Sequence, residues 1–418
     1  MTAILAEVTV RSRLLRVLIA AQVLGGLGQA AGGAAGALLA RDVAGSDAAA
    51  GLPLSLLVAG SALAALPISS LSRSAGRRAG LATALLGGAA GATLCVWAGV
   101  VESLPLLLLG CLLFGAGNTA VMLARYAAAD LSEPERRART IGIVVFATTF
   151  GAVAGPNLLG PAGDAADAAG LPPLTGLFVL AAAAYVAAAS VLLALLRPDP
   201  LRLAAPVEET EDAWGPKVPL TDLLAPPRVR AGLATIVTAN LVMVAVMAMT
   251  PVHMRHHDHS LTLVGFVISL HILGMFGPAP LTGRLADRLG ARRVALGGCA
   301  VLLAAGLLAA AAGGSVAVLS VGLLLLGVGW NACLISGSTL LVSAVAAGQR
   351  PRVEGVGELS MGIAAAAGGA LSGPAIAVAS YAALAIAAAA LAATVAPILL
   401  VSVRRGSPAP AAPRTPPV

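Results

Sequence analysis

Charge is scarce in this chain. Of its 418 residues only 11% are Asp, Glu, Lys or Arg, and aromatic residues make up 3%. Hydrophobic residues supply 58%, and the mean hydropathy is +0.93, well above the roughly half-apolar usage of soluble domains. That composition excludes a soluble globular protein. Lysine is nearly absent, with Lys217 alone among 26 basic residues. The arginines fall in twos and threes between apolar runs, a pattern that suits membrane topology and speaks against a nucleic-acid surface. Four cysteines, Cys95, Cys111, Cys299 and Cys333, lie inside apolar stretches with no CxxC pair, so neither a zinc site nor a disulfide framework is expected. There is no GxxxxGK[ST] loop for an ATP-driven pump, and no HExxH or GxSxG motif for an enzyme.

What is present is apolar sequence in runs of about 20 residues, the length with which a helix crosses ~30 Å of hydrocarbon. Twelve such runs predict an all-α polytopic membrane protein of two six-helix bundles, residues 14–196 and 229–401. Between them residues 197–228 are rich in proline and acid, including Pro198, Pro200, Glu208, Glu209, Glu211 and Asp212, and read as a linker. Residues 1–13 form an N-terminal segment, and 402–418 a disordered, Pro/Ala-rich tail. Arg11, Arg13 and Arg16 before the first run imitate a signal peptide, but the run is too long and many others follow. With these spans, Arg41 and Arg255 fall on one side, Arg125 falls inside the fourth span, and every other basic residue falls on the opposite side. The positive-inside rule then places both termini and the linker in the cytoplasm.

The halves carry matching landmarks in the same order, the mark of a duplicated six-span unit. Gly76-Arg77-Arg78 corresponds to Gly290-x-Arg292, Gly115-x-Gly117-Asn118 to Gly327-x-Gly329-Trp330-Asn331, and Gly155-Pro156 to Gly373-Pro374. The segment Gly283-Arg284-Leu285-Ala286-Asp287-Arg288-Leu289-Gly290-Ala291-Arg292 is similar to the loop signature of the major facilitator superfamily. Gly142, Gly151, Gly155 and Pro156 in the fifth span resemble the superfamily's antiporter signature, as in its bacterial drug:proton antiporters, except that Leu159 stands where that pattern has Gly. The resemblance covers residues 14 to 401, and it implies alternating access by rocking of the two halves.

Candidate residues follow from both sources. Gly283, Asp287, Arg288, Gly290 and Arg292 read as a conformational latch, with Asp287 able to accept bonds from helix N-terminal amides and the arginines reaching toward acids or lipid phosphates. In the first-half copy Arg73 stands where the resemblance calls for Asp. It is expected to pair with Glu354 or Glu358, which lie four apart on one face of the eleventh span. Amide side chains inside spans mark a candidate substrate cavity: Gln22, Gln29, Asn118, Asn157, Asn240 and Asn331. Interhelical bonding is the alternative for each. Trp330 offers either a stacking face or a packing group. Arg125 anchors an anionic group, balances an acid in the cavity or snorkels, and His271 either carries a proton or bonds to a backbone carbonyl. His253, His256, His257 and His259 crowd a short outer loop, where a solvated loop, a pH sensor or a metal site are the readings. No other metal site and no cofactor is expected.

The function expected is proton-coupled export of amphipathic or drug-like small molecules, with the proton as coupling ion. Import of a nutrient, or a transport-inactive sensor with a His-rich loop, are the alternatives. The Ala, Gly and Arg bias points to a bacterium of high GC content, hence a monomeric, multi-pass protein of the inner membrane whose partners are the lipid bilayer and a small-molecule substrate, and not nucleic acid.

Overall fold

The computed structural model describes residues 2–45, 49, 51–204 and 218–401. The linker core and the tail lie outside the described residues. Among the described residues, twelve helical segments are long and apolar enough to cross a membrane: α1 (Val8–Ala44), α2 (Leu52–Ala75), α3 (Arg77–Val100), α4 (Leu104–Asp130), α5 (Pro134–Gly155), α6 (Pro173–Leu195), α7 (Pro227–His256), α8 (Leu263–Leu289), α9 (Ala291–Ala311), α10 (Val316–Ser343), α11 (Ala347–Val378) and α12 (Tyr381–Val401). No strand occurs among the described residues. Helix already begins at Thr2, so the expected N-terminal segment runs into the first span without a break. Short helices at Pro200–Ala204 and Leu220–Leu224 flank the undescribed part of the linker, and another, Leu159–Ala168, follows α5.

The duplication is visible in the packing. Within the first bundle α3 packs on α4 and α6, α2 on α4, and α1 on α5 and α6; the second bundle repeats this scheme with α9, α10, α12, α8, α7 and α11. The two bundles meet where α2 lies along α11 and α5 along α8. Such contacts need small residues, because no hydrophobic effect drives helices together in lipid and close van der Waals approach must do so. A Cβ on Gly142 of α5 would collide with the Ala279 carbonyl of α8, beside Gly283, and one on Gly355 of α11 would meet the Ser69 side chain and Ala65 carbonyl of α2. These two contacts occupy matching places in the repeat. Cys95 and Cys111 sit 3.8 Å apart in the α3–α4 crossing, and Cys299 and Cys333 sit 4.0 Å apart in the α9–α10 crossing; all four are free thiols. Large apolar side chains such as Leu63, Phe150 and Leu371 point outward, as a lipid-facing surface requires.

Local chemistry sets the turns and breaks. Gly76 and Gly290 hold φ of +95° and +90° between α2 and α3 and between α8 and α9, a region that side chains with a Cβ rarely enter. α8 is interrupted at Gly277-Pro278, dividing Leu261–Phe276 from Ala279–Leu289, because proline lacks the N–H that would continue the ladder. Hence the segment of α8 that packs chiefly on α5 is separate from the one that packs chiefly on α10. Gly142→Val should separate α5 from α8 and lower the thermal midpoint in detergent by the equivalent of about 1–3 kcal/mol, the usual cost of overpacking. Gly297→Ala, at a position with nothing within 4 Å of the added methyl, should leave it unchanged or slightly raised.

Candidate functional site: a charged seam between the bundles

The end of the bundle that carries the arginine-rich loops is closed by ionised groups buried between the halves. Arg77, the first residue of α3, is 1% exposed. Its Nε donates to Asp130 Oδ2 of α4 at 2.9 Å, and its Nη1 and Nη2 donate to both oxygens of Glu354 on α11 at 2.5 and 2.7 Å. Arg350, at the start of α11, donates to the other oxygen of Asp130 at 2.8 Å and through Nε to the Val342 carbonyl. Asp130 thus bridges an arginine of its own half and one of the other. One turn deeper, Arg125 of α4 donates to Glu358 of α11 at 2.5 Å, to Ser338 of α10 at 3.0 Å, to the Tyr126 hydroxyl at 3.1 Å and to the Met122 carbonyl. Three guanidinium groups meet three carboxylates, so the layer is neutral as a set. That balance is what makes the burial tolerable, since an unpaired ion there would carry its full desolvation cost.

A third contact uses backbone. Asp287, at the end of α8, accepts from the Ala138 and Arg139 amides at the start of α5, both at 2.9 Å, where the positive end of the helix favours a carboxylate. Arg137 beside them donates to Ser343 of α10 at 3.2 Å. Within the first half, Asp199 serves α3 in the same way, accepting from the Arg77 and Arg78 amides at 3.1 and 2.9 Å.

The expected latch is therefore partly rearranged. Glu354 and Glu358 do share a face and do meet arginines, but the partners are Arg77 and Arg125, not Arg73. Arg73 instead borders a cavity with Arg352 and Val356. Val356 lies two residues beyond Glu354, about 200° around the helix, so α11 turns its two carboxylates away from that face. Arg288 is exposed, and neither it nor Arg292 forms an ion pair among the described residues. Sequence reading missed Arg77, Arg350 and Asp130 as partners of the glutamates. Their signal was present: arginine or aspartate at the helix termini on both sides of the seam.

The amides of the expected cavity do not form one cluster. Gln22 is buried and donates to the Val121 carbonyl and Thr148, joining α1 to α4 and α5. Gln29 donates to Asn118, which donates to Ser61 at 2.8 Å, with Thr119 3.1 Å from Ser61; this half-buried chain crosses α1, α4 and α2. Asn157 is exposed and bonds to its own helix at Val153, so it does not join the others. In the second half Asn240 donates to the Met361 carbonyl and accepts from the Trp330 indole at 3.0 Å. Trp330 is buried edge-on to Phe276, which makes it a packing group. Asn331 donates to the Met275 carbonyl at 2.6 Å and His271 Nδ1 bonds the Leu323 carbonyl at 2.9 Å, tying α8 to α10; Asn331 Oδ1 and His271 Nε2 are buried without a partner. Arg125 does not snorkel; it is buried and balances an acid, Glu358 of the other half. Of the glycines in α5, Gly142 contacts α8, a Cβ on Gly151 would collide with α1 at Leu27, and Gly155 is buried. The Pro156 side chain lies outside the described set.

At the opposite end, His253 stacks on Tyr381 with ring centroids 4.2 Å apart and bonds the Gly313 carbonyl, His259 bonds the Gly314 carbonyl, and His257 bonds the His253 carbonyl. His256 is exposed. No group of three or more metal-binding side chains comes together among the described residues. The cluster pins the α9–α10 turn to the end of α7.

The sequence matches the profile described as "Major Facilitator Superfamily" over residues 18–330 and 253–417. It is 41% identical to the uncharacterized MFS-type transporter YddS of Bacillus subtilis (strain 168) over 397 residues, spanning 94% of this chain and 91% of that protein. It is 29% identical to the riboflavin transporter RfnT of Brucella anthropi over 305 residues, 72% of this chain and 74% of that one. Among solved structures, the human organic anion transporter MFSD10 superposes with a TM-score of 0.72 at 19% identity, covering 93% of this chain and 99% of that one.

Breaking one member of a buried pair strands the other. Arg125→Met and Glu358→Met should each lower the thermal midpoint by the equivalent of about 3–5 kcal/mol, whereas the double variant should recover much of that loss. Thermal unfolding in detergent reads both, and additive losses would show that the two groups are not coupled.

Proposed function

The chain belongs to the major facilitator superfamily, and from that premise we propose a proton-coupled exporter of amphipathic small molecules that works by alternating access in a bacterial inner membrane. The observation that carries this reading is the charged seam. A seam that stayed shut would be sealed at least as well by apolar side chains, because buried ion pairs barely repay their desolvation. Pairs that can separate into water and re-form suit a surface that opens and closes. The positive-inside rule puts the arginine-rich end, and both termini, in the cytoplasm. On that placement the conformation described is the one closed to the cytoplasm.

Substrate would meet the half-buried chain of Gln29, Asn118 and Ser61 on one side and the α8–α10 face with Asn331 on the other. The proton is the coupling ion in this reading. Asp130, Glu354, Glu358 and His271 are the buried acidic and imidazole groups inside the spans, and loss of the Glu358 charge would free Arg125 and loosen the seam. The likeness to a protein described as a riboflavin transporter favours one further member for a substrate panel, a planar heteroaromatic compound with a polar tail. Import of a nutrient or metabolite is the second reading. In this reading the protein works as a monomer.

Purified protein in liposomes, with lumenal pH followed as cationic, neutral, anionic and flavin compounds are added under an imposed proton gradient, tests the proposal. Substrate-dependent proton flux is expected, its sign separating export from import. Glu358→Gln should abolish gradient-driven transport while keeping counterflow. Equal loss of both would remove Glu358 from coupling and leave it a structural partner of Arg125. Gln29→Ala and Asn118→Ala should raise KM about tenfold with little change in maximal rate, as expected for lost substrate hydrogen bonds.

A further inference from the structure

The seam holds a fourth guanidinium group, and it has no acid. Arg137, near the start of α5, is 6% exposed. Its side chain makes one hydrogen bond, from Nη1 to the Ser343 hydroxyl of α10 at 3.2 Å, and its Nε is buried with no partner. It forms no ion pair among the described residues. The acids around it are engaged or turned away. Both oxygens of Asp130 are held, one by Arg77 and one by Arg350. Asp287 is held by the Ala138 and Arg139 amides, and Glu135, in the short turn that opens α5, is exposed. The charges that Arg137 feels are the repelling Arg350 and the attracting Asp130 and Glu135.

Taking a cation out of water without a counter-charge is costly, and an apolar side chain of similar length often serves such a place at least as well. For Arg77, Arg125 and Arg350 an acid offsets that cost. For Arg137 a neutral hydroxyl stands in its place, so this side chain works against the contact in which it lies. From these observations we propose that Arg137 is a spring in the gate at the arginine-rich end: closure strips it of water, and opening returns both hydration and a counter-charge.

The counter-charge follows from which half each group travels with. Asp130 and Arg137 belong to the first half, on either side of the α4–α5 turn, whereas Arg350 and Glu354 belong to α11. When the halves part, Arg350 leaves Asp130 Oδ1, and that oxygen becomes available to Arg137. Arg350 in turn lies four residues before Glu354, a spacing that puts the two on one helical face. Exchanging Arg350 for Arg137 on Asp130 thus keeps Asp130 and Glu354 paired in the open form, and closure reverses the exchange and leaves Arg137 over. The inference rests on the alternating-access reading, since a spring needs a second conformation.

Two changes test this on the full chain in lipid nanodiscs, with no substrate present: Arg137→Met removes the charge, and Ser343→Asp supplies the missing acid beside Nη1. Spin labels on Glu133→Cys in the α4–α5 turn and Ala346→Cys in the α10–α11 turn report separation of the halves by pulsed electron resonance; the four native thiols are buried. Arg137→Met and Ser343→Asp should each raise the thermal midpoint by roughly 2 °C and lower the long-distance population at least about threefold. Ser343→Asp in the Arg137→Met background should do neither, and Arg137→Lys should behave as the wild type. Should the wild type show only the short distance, the same comparisons are made in Glu358→Gln, where Arg125 has lost its acid. A midpoint and open population in Arg137→Met that stay unmoved, or move the other way, would overturn the proposal. So would equal effects of Ser343→Asp with and without Arg137, or a single distance in every variant. Failure of the liposome flux assay alone would remove the transport reading and leave these populations as they are.

Discussion

Six ionised groups kept out of water between two bundles are the constraint around which the remaining architecture is arranged. Burial of this kind is tolerable only while each carboxylate keeps its arginine, so the helices that carry them must arrive with fixed rotation and height. Gly355 lets α11 lie against α2, which sets the height of Glu354 and Glu358. The turn at Gly76 starts α3 with Arg77 facing inward, and Asp199 fixes that start through two backbone amides. Asp287 does the same for α5. The glycine contacts and the helix caps are thus what allow the ion pairs to form with short, multiple bonds.

The same interactions explain how a protein with so little charge is nonetheless organised by it. Within each bundle the packing is almost wholly small and apolar, with glycine and cysteine at the α3–α4 and α9–α10 crossings. Between the bundles the described polar contacts gather at one end. A bundle that moves as a unit, joined to its twin by pairs that water can replace, has its natural place of separation at the seam and not within either half.

Much of this fold was legible in the sequence, because span length, charge alternation and repeat order are one-dimensional signals. The twelve spans, the two bundles and the capping role open to Asp287 come from such signals. The ion-pair partners do not. Glu354 lies opposite Arg77 and not Arg73 because of how α11 is turned about its axis, and a four-residue difference in the partner is invisible until that rotation is known. Counting arginines by side also merged two populations: Arg77, Arg137 and Arg350 were counted with the loops, yet all three are buried. For the amides the sequence left cavity wall and interhelical bond both open, and only the fold separates them: Gln22 and Asn240 bind neighbouring helices, and Trp330 is enclosed.

The two halves close by chemically different means, and this bears on how each can diverge. Asp287 grips main-chain N–H groups at Ala138 and Arg139, which almost any residue pair except proline would present equally well. The α11 side depends on matched side chains at four or more positions, where a change at Glu354 is tolerable only with a reciprocal change at Arg77. Relatives should therefore drift freely around the start of α5 while the residues facing one another across α11 vary together, leaving a covariation signal on one side of the pseudo-symmetric pair and none on the other.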